Sequence, residues 1–269
     1  MIDCGEGAQL AFMRQRLSFS KLRHIFLTHL HGDHVLGLPG LVSTLALSGT
    51  GGELTVHTFE EGARQLKQMI EYFCRDTPFR LDFHVIEPKE DVIFETKALT
   101  VRTIPLNHRV PTVGFVFEEK PKERHINPEM TTFHQVPISM MKRIKTGEDF
   151  VKPDGTIIPN SWLTTDADPS LSYAHIGDTA YMPEIAGKIG PVDLLFHETT
   201  YLEDLAREAK ERGHSTAKQA AMVARDAKVK RLITGHYSSR YNDDTPFLQE
   251  AQEIFPNVIL NKEGMRVKV

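Results

Sequence analysis

Short apolar segments recur along this 269-residue chain, and several of them end on a histidine or an aspartate. "RHIFLTH" (23–29), "LTVRTIPLNH" (99–108), "LSYAHIGDT" (171–179) and "RLITGH" (231–236) read as buried strands, as do "ELTVHT" (53–58) and "VDLLFHE" (192–198). Helical patterns lie between them. One helix is expected through "VLGLPGLVSTLAL" (35–47). Residues 60–73 place Ala63, Leu66, Met69, Ile70 and Phe73 on one face at three- and four-residue spacing. "STAKQAAMVARDAKVK" (215–230) opens with Thr216 and Gln219 at capping-box spacing and turns Ala220, Ala221 and Ala224 inward. Strands alternating with helices predict an α/β protein, a class that gathers its functional groups at the C-terminal ends of its strands.

Composition narrows the classes further. With 40% hydrophobic and 25% charged residues the chain can bury a real core. No apolar run approaches the roughly 18–20 residues of a membrane span, so no membrane partner is expected. The opening "MIDCGEGAQL" has neither the basic nor the apolar region of a signal peptide. It reads instead as the end of a strand entering a turn, so a further N-terminal segment is expected before Met1. Cys4 and Cys74 cannot build a disulfide framework, which suits a reducing, cytoplasmic compartment. A net charge of −4 leaves any polyanion partner to a local basic patch.

The densest chemistry is in "FLTHLHGDHVLG" (26–37), where His29, His31, Asp33 and His34 fall within six positions. Alternate residues of an extended chain point the same way, so His29 and His31 can converge on one cation. Asp33 and His34 open the next helix and face a second point nearby. Imidazole and carboxylate at this density suit zinc, with manganese or iron as alternatives. Two metals about 3.5–4 Å apart can clamp both oxygens of a phosphoryl displacement. The bland reading is surface histidines beside a helix cap. Against it, His108, Asp178 and His236 close later strands; each alone would be an ordinary strand-end residue, but together they form a set.

The motifs "DCGEGAQ", "THLHGDH", "GDT", "FHETT", "GHST" and "GHYSSRY", spread from residue 3 to residue 241, resemble the metallo-β-lactamase superfamily and, within it, the RNase Z branch. That resemblance implies an αββα sandwich and an endoribonuclease that removes the 3′ trailer from precursor tRNA and leaves a 3′-hydroxyl. It implies that His29, His31 and His108 hold one zinc, that Asp33, His34 and His236 hold the other, and that Asp178 bridges. Asp33 would also orient or deprotonate the attacking water. Asp3 would support a ligand histidine, although a strand-end turn accounts for it equally well. Glu198 would keep a proton on His214 for the departing ribose oxygen; a merely fold-stabilising Glu–His contact is the competing reading. His197 alternates to the opposite face and reads as structural. His24, His57, His84, His125, His134 and His175 lie outside the motifs.

Residues 118–162 break the strand–helix rhythm. They are polar and proline-punctuated, with a hairpin expected at Pro153, Asp154 and Gly155. By resemblance they are the tRNA-gripping arm of a homodimer, inserted in a single domain spanning 1–269. Lys120, Lys122, Arg124, Lys142, Arg143 and Lys145 could meet phosphates there. Interleaved Glu118, Glu119, Glu123, Glu129, Glu148 and Asp149 leave open a solvated mixed-charge loop. Many members of the family carry a Gly-Pro element in the arm, whereas this stretch reads "HQVPISMMKRIKTG". Two other functions stay in view: a small-molecule phosphodiesterase or other hydrolase of the same fold, and a metal-bound RNA-binding protein without turnover.

Overall fold

The computed structural model describes residues 1–74 and 77–269, which divide into two compact units. One comprises Met1–Phe94, Val101–Phe117 and Ser172–Val269, the other Glu95–Thr100 and Glu118–Leu171.

Two sheets form the larger unit. Strands His24–Phe26, Gly52–Thr58 and Phe79–Val85 pair in parallel in that order. The second sheet runs Val258–Leu260, Arg231–Gly235, Leu194–Glu198, Ser172–Ile176, Thr112–Glu119, Leu99–Leu106 and Asp91–Glu95, and its first four strands are parallel. Each sheet has its own helix-covered core. Ile25, Leu54 and Val56 pack with Leu38, Leu41, Leu66 and Ile70 from helices Leu38–Leu47 and Glu60–Phe73. Leu195, Leu232 and Ile176 pack with Ala221, Ala224 and Phe247 from helices Ala217–Asp226 and Thr245–Gln252. Between the sheets, Phe26 meets Phe115 and Phe117 at ring separations of 5.5 and 5.4 Å. The layers are therefore α, β, β, α. Full burial of leucines such as Leu195 and Leu232 contributes roughly 1.5–3 kcal/mol each.

Local chemistry explains where the elements stop. The capping box of Thr216 and Gln219 forms, and Ala220, Ala221 and Ala224 are all fully buried, so small side chains bring their helix close to the sheet. The helix expected over 35–47 is instead two, Gly32–Val35 and Leu38–Leu47. A Cβ on Gly37 would stand 1.8 Å from the Gly5 carbonyl oxygen, so the break is where the chain entering from Asp3 crosses it. The strand expected over 23–29 holds regular pairing only for His24–Phe26, because the residues beyond turn towards the site. In helix Glu60–Phe73, Leu66 and Ile70 are buried but Met69 and Phe73 face out, so the inward stripe is narrower than the spacing suggested.

The smaller unit is built differently. Val136, Ile144, Phe150, Ile158 and Leu163 form a core of their own. Asn160 ties it together, donating from Nδ2 to the carbonyls of Ile144 and Glu148 at 2.7 and 2.8 Å and accepting from Thr164 at 2.8 Å. Strands Phe150–Val151 and Ile157–Ile158 form the hairpin over Pro153–Gly155, with Gly155 at φ 86° and Asp154 accepting from the Thr156 N–H. This unit runs to Leu171, nine residues past the expected boundary at 162.

Candidate metal centre

The chain leaves strand His24–Phe26 still extended, and the Leu27 N–H donates to the His57 carbonyl at 2.9 Å. That extension carries His29 into the interior. His31 caps the short helix Gly32–Val35, whose first turn holds Asp33 and His34. His29 Nε2 lies 3.0 Å from His31 Nδ1, and His108 Nε2 approaches the same atom at 3.3 Å. His108 follows strand Leu99–Leu106, Asp178 follows Ser172–Ile176, and His236 directly follows Arg231–Gly235. His236 holds φ 63° and Asp3 φ 51°, left-handed backbone that non-glycine residues adopt mainly where the surroundings enforce it.

Asp178 is at the centre. Its Oδ2 is 3.9 Å from His29 Nε2 and 3.8 Å from the Nε2 atoms of His34 and His108, while Oδ1 is 3.4 Å from His236 Nε2. Ligand atoms of His29, His31 and His108 lie within 4.8 Å of one another, as do those of Asp33, His34 and His236. All seven residues expected as ligands are thus brought together. Asp33 is well exposed, at 71% for its side chain, with Oδ2 3.5 Å from His34 Nε2.

The donor set fits a cation. Asp178 Oδ1 is buried without a hydrogen-bond partner among the described residues, which is costly unless a positive charge meets it. The outer nitrogens of the histidines are already committed. His34 Nδ1 donates to Asp3 Oδ2 at 2.8 Å, His108 Nδ1 to the Gly213 carbonyl at 2.8 Å, and His236 Nδ1 to Thr200 Oγ1 at 2.9 Å. His29 Nδ1 meets Thr28 Oγ1 at 3.0 Å, and the Thr28 hydroxyl donates to Asp3 at 2.8 Å. Each of these rings therefore turns a lone pair on Nε2 inward, the state a metal requires. Burial first, then the imidazoles of His34, His108, His31 and His236, hold the His29 pKa down to about 2, so it stays neutral.

Beside the cluster, Glu198 is fully buried and held from all sides. Oε1 accepts from the backbone N–H of Thr179 and Ser215 and lies 3.0 Å from His214 Nδ1; Oε2 accepts from the N–H and hydroxyl of Thr200. Burial alone would raise its pKa, but the bonds from His214 and Thr200 overcome it and lower the value. For His214 burial opposes the charge, and the bond and charge of Glu198 outweigh it and raise the pKa. The His214 ring stacks 5.6 Å from His236 and stands 5.1 Å from His108. His197 is buried and bonds through Nδ1 to the Glu198 carbonyl, away from this pair.

Sequence reasoning missed the groups that do the pinning: Thr28, Thr200 and the Gly213 carbonyl. Thr200 is the most consequential, since one hydroxyl joins Glu198, His214 at 3.2 Å and His236. Its position two residues past Glu198 in "FHETT" was the available signal.

Comparison with known proteins agrees with this arrangement. Residues 1–127 and 159–237 match the family model described as a beta-lactamase superfamily domain. A protein named Ribonuclease Z from Parabacteroides distasonis is 50% identical over 270 residues, covering 100% of this chain and 89% of its own length. Another of that name from Phocaeicola vulgatus is 44% identical, covering 100% and 87%. Among solved structures, the short form of human tRNase Z superposes with a TM-score of 0.63 at 24% identity, over 98% of this chain and 85% of that one.

Proposed function

This chain belongs to the ribonuclease Z family of the beta-lactamase superfamily, and from that membership we propose that it is a metal-dependent endoribonuclease acting on precursor tRNA, freeing the 3′ trailer and leaving a 3′-hydroxyl on the tRNA. The observation that carries this reading is the Glu198–His214 pair beside a complete cluster of ligands, because that pair serves a leaving group that needs a proton.

Zinc is the cation this nitrogen-rich set suits best, two ions per chain, one with His29, His31 and His108, the other with Asp33, His34 and His236, and Asp178 shared. When bound, such ions supply Lewis acidity at the phosphate oxygens and acidify the attacking water. The chain's own residues do the rest. Exposed Asp33 orients the water and takes its proton. The ribose 3′-oxygen is a poor leaving group until it is protonated, and His214, kept charged by buried Glu198, delivers that proton. Thr28, Asp3, Gly213 and Thr200 hold the ligand rings in one tautomer, so no reorganisation is needed during reaction.

The smaller unit is the proposed grip on the tRNA body. Five of its six bases expected to meet phosphate are closed on carboxylates in the free protein: Lys120 on Glu95, Lys122 on Glu119, Arg124 on Asp166, Arg143 on Glu148 and Lys145 on Glu123. Surface pairs of this kind are worth about 0–1 kcal/mol, so a phosphate can replace the carboxylate at little cost. Exposed Phe133 and Trp162 add aromatic surface. A cytoplasmic homodimer completes the reading. Leu10, Met13 and Leu47 lie exposed on the adjoining helices Ala8–Arg14 and Leu38–Leu47, an apolar surface suited to a second copy.

The test strips the protein of metal and supplies zinc or manganese together with a labelled 3′-extended precursor tRNA. Cleavage that returns with the metal supports the reading; metal-independent cleavage, or none with metal restored, overturns it.

A further inference from the structure

We propose that the cavity beside His108, bordered by Arg109, Arg207 and Lys210, seats the last nucleotide of the tRNA body, with Arg109 on the phosphate at that nucleotide's 5′ side. The inference rests on the nuclease reading above and goes beyond it by assigning a nucleotide subsite.

The cavity has a volume of about 570 Å³, within the range of small-ligand sites. His108 and Gly213 form part of its wall, which places it against the metal cluster and one residue from His214. His214 commits Nδ1 to Glu198, so Nε2 is the nitrogen left to serve the departing oxygen. The ribose carrying that oxygen must lie near the ring, and this cavity shares with it two neighbours, Gly213 next to it in the chain and the His108 ring 5.1 Å away.

Charge points the same way. Exposed Arg109 makes no hydrogen bond or ion pair among the described residues, and neither does the Lys210 ammonium. Nearby Arg212 and Arg240 both close on Glu208 at 3.0 Å. Arg207 keeps only a loose 3.7 Å approach to Glu211, with its side chain 94% exposed. An unpaired guanidinium at the mouth of a phosphodiester site is a ready fork for a phosphate.

The experiment pairs protein and substrate changes. Wild type, Arg109→Ala and Arg109→Lys are assayed at saturating zinc on a precursor tRNA and on the same RNA with a neutral methylphosphonate at the linkage just upstream of the last body nucleotide. The wild type should lose about 10- to 100-fold in kcat/KM on the neutral linkage. Arg109→Ala should lose a similar factor on the native RNA and nothing more on the neutral one, while Arg109→Lys keeps part of the sensitivity. Losses that multiply, or an Arg109→Ala variant with unchanged kcat/KM on native RNA, overturn the subsite and leave the nuclease reading standing. A wild type that leaves the native precursor uncut overturns that reading, and the subsite with it.

Discussion

Asp178 and Arg143 both carry charge that the fold must accommodate, and the two units do so in opposite ways. Asp178 is buried, four imidazole nitrogens stand 3.4–3.9 Å away, and one of its oxygens has no hydrogen-bond partner among the described residues. Arg143 is exposed and closed on Glu148 at 2.6 Å. The first arrangement is expensive without a cation, so its presence identifies a binding site. The second costs almost nothing and can exchange its partner, so it identifies no ligand by itself. Catalytic chemistry is therefore written in the larger unit as unmet demand, whereas substrate grip in the smaller unit has to be sought by measurement.

The largest expected effect falls on the shared ligand. Asp178→Ala should lower bound metal below that of any single histidine variant and abolish precursor cleavage, because both ligand groups lean on that carboxylate. Elemental analysis read beside activity checks it, and a variant that keeps two metals and still cuts would break the contrast at its source. Next is His214→Ala, expected to slow precursor cleavage by about 10²–10⁴-fold with metal retained. Hydrolysis of bis(p-nitrophenyl) phosphate should suffer far less, since nitrophenolate departs without a proton. Equal losses on both substrates would show that His214 does not protonate the leaving group.

The smaller unit is tested by removing it whole. Excising only 120–152 would strand Ile158 and Leu163 without Val136, Ile144 and Phe150, so the better cut joins Glu119 to Ser170. Those ends already lie together, with the Glu119 N–H bonded to the Leu171 carbonyl at 2.9 Å. Precursor binding should weaken and its salt slope should fall by roughly one for every phosphate the protein no longer neutralises, while bis(p-nitrophenyl) phosphate hydrolysis continues. Unchanged affinity and slope would assign the grip elsewhere. The smallest effect expected is at Thr200. Thr200→Val keeps the shape and removes the hydroxyl, and should cost about 10–100-fold in metal affinity or activity; Thr200→Ser should restore most of it. Chelator competition measures this directly, and a valine variant that holds its metal as tightly as wild type would show that the Thr200 hydroxyl does not aim the ligand rings.

The candidate ligands were legible in the sequence because each closes a short apolar strand or opens the helix after one, a pattern that periodicity exposes. The groups that aim them were not. Thr28, Thr200 and the Gly213 carbonyl act through the direction of one oxygen, and spacing along the chain carries no direction. The helix break before Leu38 depends on the Gly5 carbonyl, 32 residues before Gly37 in the chain, so no local pattern at 35–47 could announce it. In the smaller unit the five core residues are spread irregularly over short helices and a hairpin, with neither a two- nor a 3.6-residue period to reveal them. The residues alone gave a polar, proline-punctuated insertion read as a protruding ordered arm; the likeness to a known family supplied its role in gripping tRNA.

The most direct test is the chemistry of the cut ends. A water-derived nucleophile at phosphorus, with the ribose 3′-oxygen leaving under protonation by His214, fixes both products. Mapping the termini of a cleaved precursor should find a 3′-hydroxyl on the tRNA body and a 5′-phosphate on the trailer. A 2′,3′-cyclic phosphate on the body and a 5′-hydroxyl on the trailer would mean that the neighbouring 2′-hydroxyl attacked instead, and would contradict both water activation by Asp33 and proton delivery by the Glu198–His214 pair.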